Sequence, residues 1–295
     1  MVKLPVKTDG IYTALFTPYT ADDKVDLKKL RMLLHHEIES GVEGVYCCGS
    51  SGEGLLLDTD ERKAVIETVA DEVGGKLPFI VHTGALSTRT AIDLSRHAEK
   101  NGASAVSLIP PIYYHYTMDE IGQYYTDAAA AVNLGVIVYN IPQFTGVSFS
   151  KKNAFLASKK IMGIKHTSMN LYDLERIKQA FPDKIIFNGF DEIYLSAMAA
   201  GATATIGTTV NVCPKLFKSI REAFRNKDIE KAQKLQHLLN GLIETLVNTS
   251  VFPAAKYCLT LQGIDVGSCR KPFAPLTDEQ KEMVKKTLDT IREYV

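Results

Sequence analysis

Eight short apolar runs, each followed by a longer amphipathic stretch, recur from the N-terminus to about residue 225. The runs lie at 11–16, 44–48, 79–82, 105–109, 136–139, 163–165, 185–187 and 203–206. Short runs that are apolar throughout read as parallel strands buried on both faces. The stretches between them predict helices over 27–39, 60–73, 88–101, 118–132, 151–158, 171–181, 193–200 and 214–225. Side chains able to accept a bond from an orphan helix N–H precede several of these: Asp58 and Thr59, Ser87 and Thr88, and Ser150.

Eight β-then-α units, with neither a linker nor a composition shift, fit a closed (β/α)8 TIM barrel. Two doubly wound sheets would need reversals of strand order that the sequence does not suggest. The barrel is expected over residues 1–225. Residues 226–295 read as helix at 229–248, 254–261 and 277–294, broken near 263–275, and are expected to form an extra helical layer on its outside.

Thirty-four basic residues balance thirty-four acidic ones. No global field draws the chain to nucleic acid or to a membrane surface, so the expected partner is a small molecule. Residues 1–10 lack the apolar core of a leader peptide, and no apolar run reaches about 18 residues, so a cytoplasmic location is expected. Cys47, Cys48, Cys213, Cys258 and Cys269 show neither C-x-x-C spacing nor a histidine at zinc-ligand distance. Reduced thiols and no metal site are the expectation.

In a barrel of this kind the C-terminal ends of the strands and the loops after them converge on one mouth. Thr17, the turn Gly49-Ser50-Ser51-Gly52-Glu53, Tyr139, Lys165, Thr167, Gly189, Asp191, Glu192, Thr208 and Thr209 all fall at that end. Lys165 closes an apolar run, where desolvation favours the uncharged, nucleophilic amine. Spacing alone favours the other reading, a lysine that snorkels to solvent. Tyr139 reads either as a proton shuttle beside Lys165 or as a barrel-lining tyrosine satisfied by backbone. The turn from Gly49 reads either as a carboxylate-binding nest or as a plain helix cap. Asp191 and Glu192 suit polyol hydroxyls, or simply the first turn of a helix. Tyr113, Tyr114 and Tyr116 follow Pro110-Pro111 and serve a site, a subunit contact or packing equally well.

Taken in order, G-S-S-G-E, Y-N-I-P-Q-F-T-G, G-I-K-H-T and N-G-F-D-E resemble the N-acetylneuraminate lyase branch of the dihydrodipicolinate synthase family, from about Gly10 to the C-terminus. The resemblance implies an aldolase in which Lys165 forms a Schiff base with pyruvate, Tyr139 relays protons, and Ser50 and Ser51 bind the pyruvate carboxylate. It also implies that Tyr113 is lent to a neighbouring subunit's hydroxyl network within a homotetramer, and that no cofactor is needed. Synthases of this family carry an arginine in the loop after the tyrosine, where this chain has Phe144.

Gly189, Asp191 and Glu192 resemble the lyase loop that holds a sugar's glycerol tail, with Thr167 and Thr208 placed to contact the sugar and Phe252 at the rim. The chain departs from the pattern at Ser51, where many members have Thr, at Thr208, where lyases often have Ser, and at Phe190, which replaces a Tyr. The implied reaction is reversible cleavage of the sialic acid N-acetylneuraminate to N-acetylmannosamine and pyruvate. The alternatives are a related pyruvate aldolase or synthase, and a barrel that binds sugar acids without turning them over.

Overall fold

The computed structural model describes residues 3–295, so Met1 and Val2, part of the stretch read for a leader, lie outside the described residues. Strands β1 (Ile11–Ala14), β2 (Gly44–Cys47), β3 (Phe79–His82) and β4 (Ala105–Leu108) alternate with helices α1 (Leu27–Ser40), α2 (Thr59–Val73), α3 (Thr88–Lys100) and α4 (Met118–Ala130). Strand β5 (Gly135–Asn140) is followed by the four-residue helix α5 (Pro142–Thr145). Then come β6 (Ile161–His166), α6 (Leu171–Ala180), β7 (Ile185–Asn188), α7 (Tyr194–Ala199), β8 (Ala204–Gly207) and α8 (Pro214–Arg225). Each strand pairs in parallel with the next, and β8 pairs with β1, closing a TIM barrel.

Two apolar layers hold it together. Tyr12, Tyr46, Ile80, Ile137, Phe187 and Ile206 point inward and fill the barrel. The larger layer lies between strands and helices, where Leu30, Leu33 and Leu34 of α1 are fully buried. Each of these leucines contributes roughly 1.5–3 kcal/mol. At the N-terminal end of the barrel, the Tyr12 ring occupies the space that a side chain at its register partner Gly44 would need: a Cβ there would lie 2.1 Å from the ring. That end is a packed floor, so chemistry is confined to the other mouth.

The expected caps at two helices are present. Asp58 accepts from Glu61 N and completes a capping box, and Ser87 accepts from Thr90 N. The helix expected over 151–158 is instead one 3-10 turn, Ala154–Ala157. Ser150 does not cap it; the Asn153 carboxamide accepts from Ser150 N and holds the chain in a turn. Only Leu156 of that turn is fully buried, too little apolar surface to order a longer helix.

After α8 come α9 (Ile229–Thr249), α10 (Val251–Leu261) and α11 (Asp278–Thr290). Helix α9 lies along α8 and passes over the loop after β7, where Gln236 Nε2 donates to Asp191 O and Asn240 Nδ2 to Glu192 O, both at 3.1 Å. This layer therefore covers more than the outer surface expected for it: its end nearest the mouth becomes part of the site.

Candidate active site

A cavity of about 520 Å³ opens at the C-terminal mouth. Lys165 and Tyr139 are register partners on β6 and β5, so their side chains leave the sheet on the same face. Lys165 is 4% exposed, and its Nζ lies over two ring faces, 4.1 Å from the centroid of Tyr139 and 4.4 Å from that of Tyr46. Among the described residues no carboxylate forms an ion pair with it. An amine held in this way is presented to a ligand rather than consumed by the fold.

The turn after β2 supplies hydroxyls beside the amine. Ser50 Oγ lies 3.4 Å from Tyr139 Oη, and Ser51 Oγ lies 2.7 Å from Thr208 Oγ1 at the end of β8. The turn is wound tightly. Cys48 has φ +58°, and a Cβ on Gly54 would lie 1.8 Å from Cys48 O, so glycine is required there.

His82, at the end of β3, braces that strain. Its Nε2 accepts from Ile109 N at 3.3 Å, which leaves the proton on Nδ1 to donate to Cys48 O at 3.1 Å. Burial first, then the Arg62 guanidinium and the Lys165 ammonium, hold its pKa well below the usual imidazole range, so this neutral tautomer persists. Its ring packs edge-on against Tyr139, with centroids 6.0 Å apart.

A second wall, in the loop after β7, carries the acids. Asp191 is 6% exposed, and its Oδ2 accepts from Thr209 N at 2.8 Å and Thr209 Oγ1 at 2.7 Å. Its Oδ1 has no partner among the described residues, nor does the buried Oγ1 of Thr167. Both are polar atoms that a hydroxylated ligand would satisfy. Burial raises the Asp191 carboxyl against the opposing pull of the Thr209 bonds, and burial likewise raises that of Glu192. Gly189 and Gly207 make the wall possible: a Cβ would lie 1.8 Å from Thr167 Oγ1 at the first and 2.1 Å from Asp191 Oδ1 at the second.

Ser50, Ser51, Tyr139, Lys165, Thr167, Gly189, Asp191, Glu192, Thr208 and Phe252 are thus gathered around one cavity. Tyr113 is not; it is 87% exposed, with φ +82°, and packs edge-on against Tyr114. The sequence reading missed Tyr46 and His82, which point inward from strand positions that read as core. It also missed the apolar wall of Leu246, Val247, Val251 and Phe273 from the C-terminal layer, for which no local pattern exists.

In chemical terms, a buried lysine without an ion pair shares one cavity with two hydroxyl pairs and two carboxylates. Such a cavity suits a carbonyl compound with a short anionic head and a polyhydroxylated tail.

The Dihydrodipicolinate synthetase family profile matches residues 7–291. A protein of Rhizobium meliloti named N-acetylneuraminate lyase is 40% identical over 269 residues, covering 91% of this chain and 90% of that protein. The structure of CdNal from Clostridium difficile in complex with mannosamine superimposes with a TM-score of 0.94 at 34% identity, covering 98% of this chain and 100% of the other. A dihydrodipicolinate synthase from Bacillus anthracis superimposes with a TM-score of 0.92 at 27% identity, covering 97% and 99%. With its barrel, its strand-end lysine and this match along nearly its whole length, the chain belongs to the dihydrodipicolinate synthetase family.

Proposed function

We propose that this protein is an N-acetylneuraminate lyase, cleaving N-acetylneuraminate reversibly to N-acetylmannosamine and pyruvate through a Schiff base on Lys165. The observation that carries the reading is the Lys165 amine, buried without an ion pair over the rings of Tyr46 and Tyr139, in the same cavity as the Asp191 and Glu192 wall. Relatives named for this activity at 36–40% identity support it.

In the forward direction the unprotonated amine adds to the C2 ketone of the open-chain sugar acid, and loss of water leaves a cationic imine. Ser50, Ser51 and the backbone of their turn hold the adjacent carboxylate. Tyr139, 3.4 Å from Ser50, takes the C4 hydroxyl proton or passes it on. The C3–C4 electron pair moves into the imine, releasing N-acetylmannosamine and leaving an enamine. Protonation at C3 and hydrolysis then return pyruvate and the free lysine. Gly189, Asp191, Glu192, Thr167 and Thr208 hold the sugar's hydroxyls, and Phe252 closes the apolar rim.

A synthase acting on an aldehyde that bears a carboxylate needs a cation near α5. Gln143 and Phe144 line the cavity there, and neither carries charge. Exposed Tyr113 serves a neighbouring subunit in a homotetramer, and five free thiols accord with a cytoplasmic location. No helix of the described residues is long and apolar enough to cross a membrane.

The test is to treat the protein with pyruvate and borohydride and to map added mass by peptide mass spectrometry. A reduced pyruvyl adduct on Lys165 is expected; an adduct on another lysine, or none, overturns the assignment.

A further inference from the structure

Glu53 ends the hydroxyl-bearing turn, yet its side chain points away from the cavity and into the C-terminal layer. Its carboxylate and the Lys256 ammonium of α10 are 0% and 1% exposed and lie 2.7 Å apart. Lys256 Nζ also donates to Thr17 O at 2.8 Å and Ser268 O at 3.1 Å, so its three protons have three acceptors. The other Glu53 oxygen accepts from Arg270 N at 2.7 Å. Thr17, just past β1, donates its hydroxyl to Gly52 O at 2.7 Å. One carboxylate thus joins the turn after β2, the end of β1, α10 and the loop that continues to Phe273 in the cavity wall.

Stability alone does not account for this arrangement. Apolar side chains of similar volume hold buried elements together as well as an ion pair does, or better. What the pair adds is direction. Glu53 itself has φ +53°, a strained conformation for a residue with a Cβ, and it is held there by anchoring both carboxylate oxygens. The strained residue directly follows Ser51 and Gly52, whose backbone N–H groups have no acceptor among the described residues. The bonds therefore hold rigid a turn with donors to spare.

We infer that the Glu53–Lys256 pair sets the geometry of the Ser50–Ser51 turn for the substrate's carboxylate, which makes α10 part of the pyruvate-binding apparatus. Both are positioning residues, and the inference rests on the Schiff-base reading above.

The measurement is the pyruvate concentration that gives half-maximal borohydride-trapped adduct on Lys165. In the uncharged double variant Glu53→Gln/Lys256→Met it is expected to rise about tenfold or more, because small misplacements in a preorganised site are costly. The plateau of trapping and the KM for N-acetylmannosamine in the condensation direction stay near wild type. A merely structural role would lower the melting temperature and leave half-saturation unmoved.

Thr17→Val, which removes a single hydroxyl bond to Gly52, is expected to raise half-saturation about two- to tenfold. A folded double variant whose half-saturation matches wild type overturns the inference, whatever Thr17→Val does. If the double variant does not fold, Thr17→Val decides alone, and an unchanged value overturns it. A wild-type protein that gives no Lys165 adduct instead refutes the Schiff-base reading, and the inference falls with it.

Discussion

Lys165 stands directly across from Tyr139 in the β5–β6 register, and its Nζ lies 4.1 Å from the centre of the tyrosine ring. The ring face supports the amine while the hydroxyl lies within reach of Ser50. Two functions of one side chain are therefore separable. Tyr139→Phe keeps the ring and removes the hydroxyl, so pyruvate trapping on Lys165 is expected to persist while kcat falls by about 10²–10⁴. Equal loss of trapping and turnover would show that the hydroxyl is needed already for formation of the Schiff base, and would refute a role confined to the later proton transfer.

Gly207 leaves room for Asp191. A Cβ there would lie 2.1 Å from Asp191 Oδ1, and the Thr209 bonds prevent the carboxylate from moving aside freely. Gly207→Ala is expected to lower kcat/KM for N-acetylneuraminate about tenfold or more while pyruvate trapping is largely kept, since the displaced group faces the sugar. Steady-state kinetics beside the trapping assay reads the difference.

Phe144 occupies the α5 turn at the cavity edge and is 70% exposed, so a longer side chain is accommodated. Phe144→Arg is expected to speed condensation of pyruvate with a carboxylate-bearing aldehyde about tenfold, by a charge-assisted pair, and to slow that with N-acetylmannosamine. The ratio of the two initial rates is the measure. An unchanged ratio would mean that this turn does not select the aldehyde.

Glu37 of α1 is fully buried, and neither of its oxygens has a hydrogen-bond partner among the described residues. Burial pushes its carboxyl well above the usual value of 4.5. The unfolded chain ionises this group from about pH 4.5 upward while the folded chain keeps it protonated, so stability from this residue is fully present below that pH and declines as pH rises toward the folded pKa. Glu37→Gln removes the dependence. Its unfolding free energy relative to wild type is expected to improve as pH rises from 4 to 8, by on the order of 1 kcal/mol or more. Denaturant melts across that range test it, and parallel pH profiles would disprove it.

The order of strands and helices was legible because burial on both faces demands unbroken apolar runs and helices impose their own period. Residues 151–158 misled because Ser150 resembles a cap, whereas Asn153 bonds back to it and holds a turn. Position after strands put Lys165, Tyr139 and the acidic pair at the mouth, but spacing alone favoured a snorkelling lysine, and only the family resemblance singled these residues out. Tyr46 and His82 were not, since an inward aromatic within an apolar run looks the same as core.

Sequence by itself determined the fold class, the end of the barrel where polar groups collect, and the chemistry those groups can offer. All three follow from local periodicity and residue type. Tertiary structure decided which groups meet: Ser51 with Thr208, Lys165 with Tyr46, Glu53 with Lys256. Such contacts depend on the register and closure of eight strands and on the packing of a distant helical layer, and no local pattern carries that information.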